Sequence, residues 1–277
     1  MRFRRLCGLL AATTAATMTA PRPAVSQTPT VTAADPPAGV AIDHVRWVTI
    51  DAPGIGVMRA AIARPEGAGP FPVVLILHGT HGFAQEYARL ARDLARGGVL
   101  AVAPCWFTGR GGPTTGVVTP IDCPGAPPLV VGSTPEAMRT VGALVAATRA
   151  LPDARGDRVA LVGQSRGAVA ALGYALGGDT TLRAVVLNSA PYPDELVTPA
   201  RALRVPVLLL HGAADSLNAM TAVGRARRFE AAVRDGGGRV EATYYPGAGH
   251  VTIFEDRAQW GDSVRRISAF LRAHLLP

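Results

Sequence analysis

The chain has 277 residues, of which 48% are hydrophobic and 17% charged, and a formal net charge of +8. That length suits one large α/β domain or two small ones, and the apolar fraction excludes an intrinsically disordered chain. Every basic residue is arginine, which excludes a Schiff base or any other lysine catalyst. Four arginines, carrying half of the net charge, lie in the first 26 residues, where there is no acid. The remaining arginines are scattered and accompany no recognition motif, so nucleic acid is not expected as a partner.

Met1 to Ser26 reads as a secretory signal. Arg2, Arg4 and Arg5 form the positive start, and Leu6 to Ala20 is apolar but too short and too rich in threonine for a stable membrane span. Ala24-Val25-Ser26 offers the small residues of a cleavage site, placed before Gln27. Residues 27–40, rich in Pro, Thr and Ala, are expected as a flexible linker, and residues 41–277 as a single domain. Val45 to Ile50 alternates like an antiparallel edge strand; Pro53-Gly54 turns the chain, and Val57 to Arg64 gives a second strand. From Phe71 the pattern changes. Val73 to Leu77 is a continuous apolar run, as a central parallel strand requires. It ends in His78-Gly79-Thr80-His81-Gly82, and Ala84 to Arg96 reads as a helix closed by Gly97-Gly98.

Val99 to Ala103 is the next strand, followed by the long irregular stretch from Cys105 to Gly132. A loop of that length in a compact domain is usually functional. Cys105 and Cys123 bracket most of it, and an even pair in an exported chain is expected to form a disulfide. Trp106, Phe107 and Arg110 suggest a substrate pocket with one cation. Ser133 with Glu136 reads as a capping box, with Pro135 in the first turn of a helix reaching about Arg149. Strands follow at Val159–Val162, Ala184–Asn188, Pro206–Gly212 and Val240–Tyr245, with helices after Ser165, over Met220–Val233 and over Gln259–His274. This alternation predicts one α/β domain: a mostly parallel sheet of about eight strands, antiparallel at its N-terminal edge, with helices on both faces. Any lid must come from Cys105–Gly132 or the short Pro191–Ala202 segment.

The chemistry centres on Gly163-Gln164-Ser165-Arg166-Gly167, set between an apolar strand and a helix of small residues. Such a turn exposes the serine hydroxyl at the strand's C-terminal end, ahead of a helix N-terminus. A serine needs a base, and the base needs a partner that fixes its tautomer. Polar residues just after later strands supply both, Asp215 and His250, in the order Ser…Asp…His, with Asp194 as the alternative acid. His78 and His81 have no carboxylate at ligand spacing, so no metal and no cofactor are expected. His78 and His211 read as structural.

Together, Phe71–Gly82, the Gly-Gln-Ser-Arg-Gly turn, Leu208–Asp215 and Tyr245–His250 resemble the α/β-hydrolase fold, most closely its dienelactone hydrolase-like and small-esterase members. The resemblance covers about residues 45–275. It implies Ser165 as nucleophile, Asp215 as acid, His250 as base, and an oxyanion hole from the backbone N–H groups of Thr80 and Arg166. This chain has serine where dienelactone hydrolases proper carry cysteine, so the resemblance reaches the fold and not the dienelactone substrate. The expected function is that of a secreted or periplasmic serine hydrolase cleaving small-molecule carboxylic esters through an acyl-enzyme. A small prolyl-oligopeptidase-like peptidase and a non-catalytic binding protein on the same fold are the alternatives. Oligomeric state is not legible in the sequence.

Overall fold

The computed structural model describes residues 28–109, 118–129, 132–251, 254 and 257–276. The expected signal segment, residues 1–26, lies outside the described residues. Among the described residues nine strands form one sheet in the order β1-β2-β3-β5-β4-β6-β7-β8-β9. They are β1 (Thr30–Ala33), β2 (Arg46–Ala52), β3 (Gly56–Ala63), β4 (Phe71–Leu77), β5 (Leu100–Pro104), β6 (Ala154–Gln164), β7 (Leu182–Asn188), β8 (Val207–Gly212) and β9 (Val240–Tyr245). The joins β1–β2, β2–β3 and β3–β5 are antiparallel, and every join from β5 through β4 to β9 is parallel. The sheet is therefore mixed and mostly parallel, with its antiparallel edge at the N-terminus, as the alternation from Phe71 onward implies.

The continuous apolar runs have a direct cause, since both sheet faces are covered and both side-chain registers must be apolar. Val73, Leu75 and Leu77 of β4 face one core, which they share with α2 (Pro135–Arg149), α3 (Arg166–Leu176) and α5 (Val223–Asp235). Val74 and Ile76 face the other, shared with α1 (Gln85–Ala95) and α6 (Arg257–Leu275). The same odd and even division runs through β6, β7 and β8. Parallel strands covered on both faces bring all their C-terminal ends to one rim, where the loops can meet. Among the described residues no helix is long and apolar enough to cross a membrane.

Two local expectations are corrected. Thr30–Ala33, expected within the linker, is a strand, because the outer edge of β2 offers open backbone groups and the short segment pairs with them from Thr30–Asp51 to Ala33–Val48. The cap of α2 is Thr134 and not Ser133: the Thr134 side chain accepts from Ala137 N–H at 3.4 Å. Pro135 decides this, since it takes the first helical position and confines the residue before it to an extended conformation. The Pro191–Ala202 segment holds a short helix, α4 (Asp194–Val197), and a 3₁₀ turn over Thr198–Ala202.

Cys105 and Cys123 are joined by a disulfide, closing a loop between residues 18 apart. A loop of this size restricts the unfolded chain by about 3 kcal/mol. Reduction, or the pair of substitutions Cys105→Ser and Cys123→Ser, is expected to lower the urea midpoint accordingly. An unchanged midpoint would show that the bridge leaves stability untouched.

Candidate active site

The turn at Ser165 is fixed by steric necessity. Ser165 has φ 51° and ψ −114°, a left-handed conformation that a non-glycine residue adopts at a cost of about 1–3 kcal/mol. The surroundings impose it. A Cβ on Gly163 would lie 2.4 Å from Ala168 Cα, and one on Gly167 would lie 2.1 Å from the Leu77 carbonyl oxygen. Strand, helix and neighbouring strand thus close on the turn with room for hydrogen only. Ser165 N–H donates to Asn188 O at 2.9 Å, and Ser165 O accepts from Ala168 and Val169 as α3 begins.

The sequence-named residues meet here. Ser165 Oγ lies 2.8 Å from His250 Nε2, and His250 Nδ1 lies 2.7 Å from Asp215 Oδ2. With the carboxylate accepting at Nδ1–H, the neutral ring turns its Nε2 lone pair to the serine hydroxyl, the arrangement that can remove a hydroxyl proton. The two loops that carry this pair are bound together. Ala213 N–H donates to Tyr245 O at 2.9 Å and Ala214 N–H to Ala248 O at 3.0 Å. A Cβ on Gly212 would stand 2.2 Å from Gly249 O. His250 O accepts from Gln164 Nε2 at 3.3 Å, and the Gln164 amide oxygen accepts from Asn188 Nδ2.

Asp215 is buried, at 5% exposure. Burial alone would raise its pKa, but the hydrogen bond and charge of His250, the Leu217 N–H and the Thr221 hydroxyl together hold it below the ordinary value. His211 stands behind it, Nε2 3.7 Å from Asp215 Oδ2, and donates instead to Thr221 O at 2.7 Å. It is fully buried and burial pushes it towards the neutral form, the structural role expected of it. Asp194, the alternative acid, sits on α4 in an exposed ion pair with Arg225, and it is Asp215 that His250 contacts.

The turn after β4 carries Thr80. His78 is fully buried beneath it and pushed down to about 3 by burial. Its Nδ1–H donates to Gly79 O at 3.0 Å, while its Nε2 accepts from Trp106 N–H at 3.2 Å. Trp106 returns its indole N–H to His78 O at 3.0 Å, and the Phe107 ring centroid lies 4.4 Å from that of His78. Both aromatic residues have zero exposure. The pocket expected from Trp106 and Phe107 is therefore corrected: they are the packed floor under the turn, because His78 supplies acceptors that only a buried neighbour can meet. Arg110 lies outside the described residues.

One contributor was not named from the sequence. Tyr87 Oη accepts from Gly79 N–H at 3.0 Å and lies 2.7 Å from His81 Nε2. Burial and then the charge of His250 lower His81 to about 4, so a neutral His81 Nε2 accepts a hydrogen bond from the Tyr87 hydroxyl. Helical periodicity marks Tyr87 as buried on α1, but not that its hydroxyl reaches Gly79. The Arg166 side chain also gains a partner, its Nε donating to Thr80 Oγ1 at 3.1 Å. Among the described residues there is no cluster of three or more His, Cys, Asp or Glu that could hold a metal ion.

Residues 58–269, which span the β4 turn, the serine elbow and both later loops, match the model of the dienelactone hydrolase family. The chain belongs to the dienelactone hydrolase family. A Methylorubrum extorquens protein provisionally assigned as a carboxymethylenebutenolidase is 28% identical over 204 residues, covering 70% of this chain and 68% of that one. Two solved structures share the fold. A dienelactone hydrolase-like promiscuous phosphotriesterase from metagenomic libraries aligns with TM-score 0.66 at 18% identity, covering 83% of this chain and 98% of that one. An esterase of Pyrococcus furiosus aligns with TM-score 0.64 at 17% identity, covering 83% and 93%. This dienelactone hydrolase family member is thus a hydrolase on the α/β-hydrolase fold.

The lowered Asp215 pKa has a consequence for stability. Its stabilising effect is present above the unfolded value of 3.8 and is lost as pH falls through the lower folded value. The stability difference between the native protein and Asp215→Asn, read by urea unfolding, is expected to narrow as pH falls below 3.8. A difference that stays constant through that range would contradict the lowering.

Proposed function

We propose that this chain is an exported serine hydrolase that cleaves small carboxylic esters through an acyl-enzyme. The observation that carries the reading is the unbroken chain Ser165 Oγ–His250 Nε2–Asp215 Oδ2, with links of 2.8 and 2.7 Å. Two hydrogen-bond lengths in series, ending in a buried carboxylate, make a weak nucleophile competent at neutral pH.

In this mechanism Ser165 Oγ attacks the ester carbonyl carbon as its proton passes to His250 Nε2. The carbonyl oxygen becomes an oxyanion held by the Thr80 N–H of the turn after β4 and the Arg166 N–H at the N-terminus of α3. One such donor is typically worth about 10²–10³ in rate. The tetrahedral intermediate collapses, the bond to the alcohol oxygen breaks, and that oxygen takes the proton from His250. Water then repeats the sequence: His250 removes its proton, its oxygen attacks the acyl carbon, and the second collapse returns Ser165 and releases the acid. Asp215 holds the imidazole tautomer throughout and stabilises the transient imidazolium. No cofactor is required by this sequence.

The export part of the reading is supported by the composition of Met1–Ser26, a positive start and an apolar, small-residue core. The Cys105–Cys123 disulfide is also what an oxidising compartment favours. The serine at the elbow, in place of the cysteine of dienelactone hydrolases proper, directs the proposal to simple esters.

Ser165→Ala is expected to reduce hydrolysis of p-nitrophenyl acetate by at least about 10³-fold, with the fold retained by circular dichroism. Full activity in that variant would sink the proposal. Preference for an aminoacyl p-nitroanilide over the ester would instead favour the peptidase reading.

A further inference from the structure

The register of the sheet brings the two oxyanion-hole residues together. In the parallel pair β4–β6, Leu77 stands opposite Gly163. Thr80 and Arg166 each lie three residues beyond that pair, so the two chains leave the sheet in step and deliver both residues to the same place. The Thr80 peptide is already held from its own side. The Gly79 carbonyl, which belongs to that peptide, accepts from His78 Nδ1 and from Gly82 N–H, each at 3.0 Å, and Gly79 N–H donates to Tyr87 Oη. Across the site, the Arg166 side chain folds over to donate from Nε to Thr80 Oγ1 at 3.1 Å.

Arginine is also a poor choice for this position by the rules of helix stability. It is the first residue of α3, whose first turn contains no acid. A cation there opposes the positive end of the helix dipole. The same charge is the right sign for an oxyanion that exists only during reaction. Local rules broken at one residue are a signature of function where a compensating role is visible, and here the Thr80 contact supplies one.

Resting on the serine-hydrolase reading, we infer that the Arg166 side chain is a positioning residue that clasps the oxyanion hole. It bridges the elbow to the β4 turn and fixes the separation of the two N–H donors. Because the donors act on charge present mainly in the transition state, loosening the clasp lowers kcat and spares KM.

Thr80→Val keeps the backbone donor and nearly the side-chain shape but removes the hydroxyl. With p-nitrophenyl acetate it is expected to lose about tenfold in kcat, the effect of one charge-assisted hydrogen bond, at little change in KM. Arg166→Met should lose at least as much, since it removes the charge as well. The double variant should lose no more than Arg166→Met alone, and Thr80→Ser should recover most of what Thr80→Val loses. Thermal melts confirm that each variant is folded, and Thr80→Ala repeats the test if valine is not accommodated. A hydroxyl-less variant with native kcat overturns the clasp, as does a double variant whose loss is the product of the single losses. If either result comes with an inactive Ser165→Ala, the clasp alone is wrong. An active Ser165→Ala would overturn the underlying serine reading instead.

Discussion

The N-terminus of α3 is pressed against the end of β4 so closely that Gly167 has no space for a side chain: a Cβ there would meet the Leu77 carbonyl oxygen at 2.1 Å. The rest of the site follows from that approach. It forces the connection between β6 and α3 into a single residue, and that residue, Ser165, takes a left-handed conformation. The strained backbone lifts the hydroxyl away from the sheet and leaves the first helical N–H groups behind it. The same approach sets the β4 turn, with Thr80, alongside Arg166. Strain of this kind persists only where the surroundings over-determine it. Here the glycines, the Ser165–Asn188 bond and the first bonds of α3 do so together.

The other half of the site is built on a second close approach of the same type. Gly212 lets the end of β8 lie against the Gly249 carbonyl, so the loops bearing Asp215 and His250 are cross-bonded before the side chains meet. The imidazole then bridges the two halves, with a carboxylate on one nitrogen and the serine on the other. Gln164 ties the halves again by donating to His250 O. Around this frame the buried histidines, His78 and His211, act as uncharged hydrogen-bonding struts. Burial disfavours their charged forms, and each has a specific backbone partner. Both ring nitrogens of His78 are paired, whereas among the described residues His211 pairs through Nε2 alone and its buried Nδ1 has no hydrogen-bond partner.

Much of this was legible in the residues because the governing forces are local or periodic. Strands covered on both faces must read as unbroken apolar runs, which is why Val73 to Leu77 stood out. The spacing of Gly163 and Gly167 around Ser165 encodes a steric requirement that no other residue type meets. What was not legible depends on partners remote in sequence. Thr30–Ala33 has the composition of a linker and is a strand only because β2 offers it an edge. Trp106 and Phe107 are apolar residues at a strand end, a description that fits a pocket wall and a packed floor equally; the acceptors of His78 make them floor. Tyr87 reads as core by its helical phase, and nothing in that phase tells where its hydroxyl points. The choice of Thr134 over Ser133 as helix cap turned on the single constraint that Pro135 places on its predecessor.

The central claim is that Ser165 is the activated nucleophile of this dienelactone hydrolase family member. Its most direct test is to treat the native protein with a fluorophosphonate and map the adduct by peptide mass spectrometry. The account predicts one stoichiometric adduct, on Ser165, its formation suppressed by prior acid unfolding. No adduct under native conditions, or an adduct on a different residue, would contradict it.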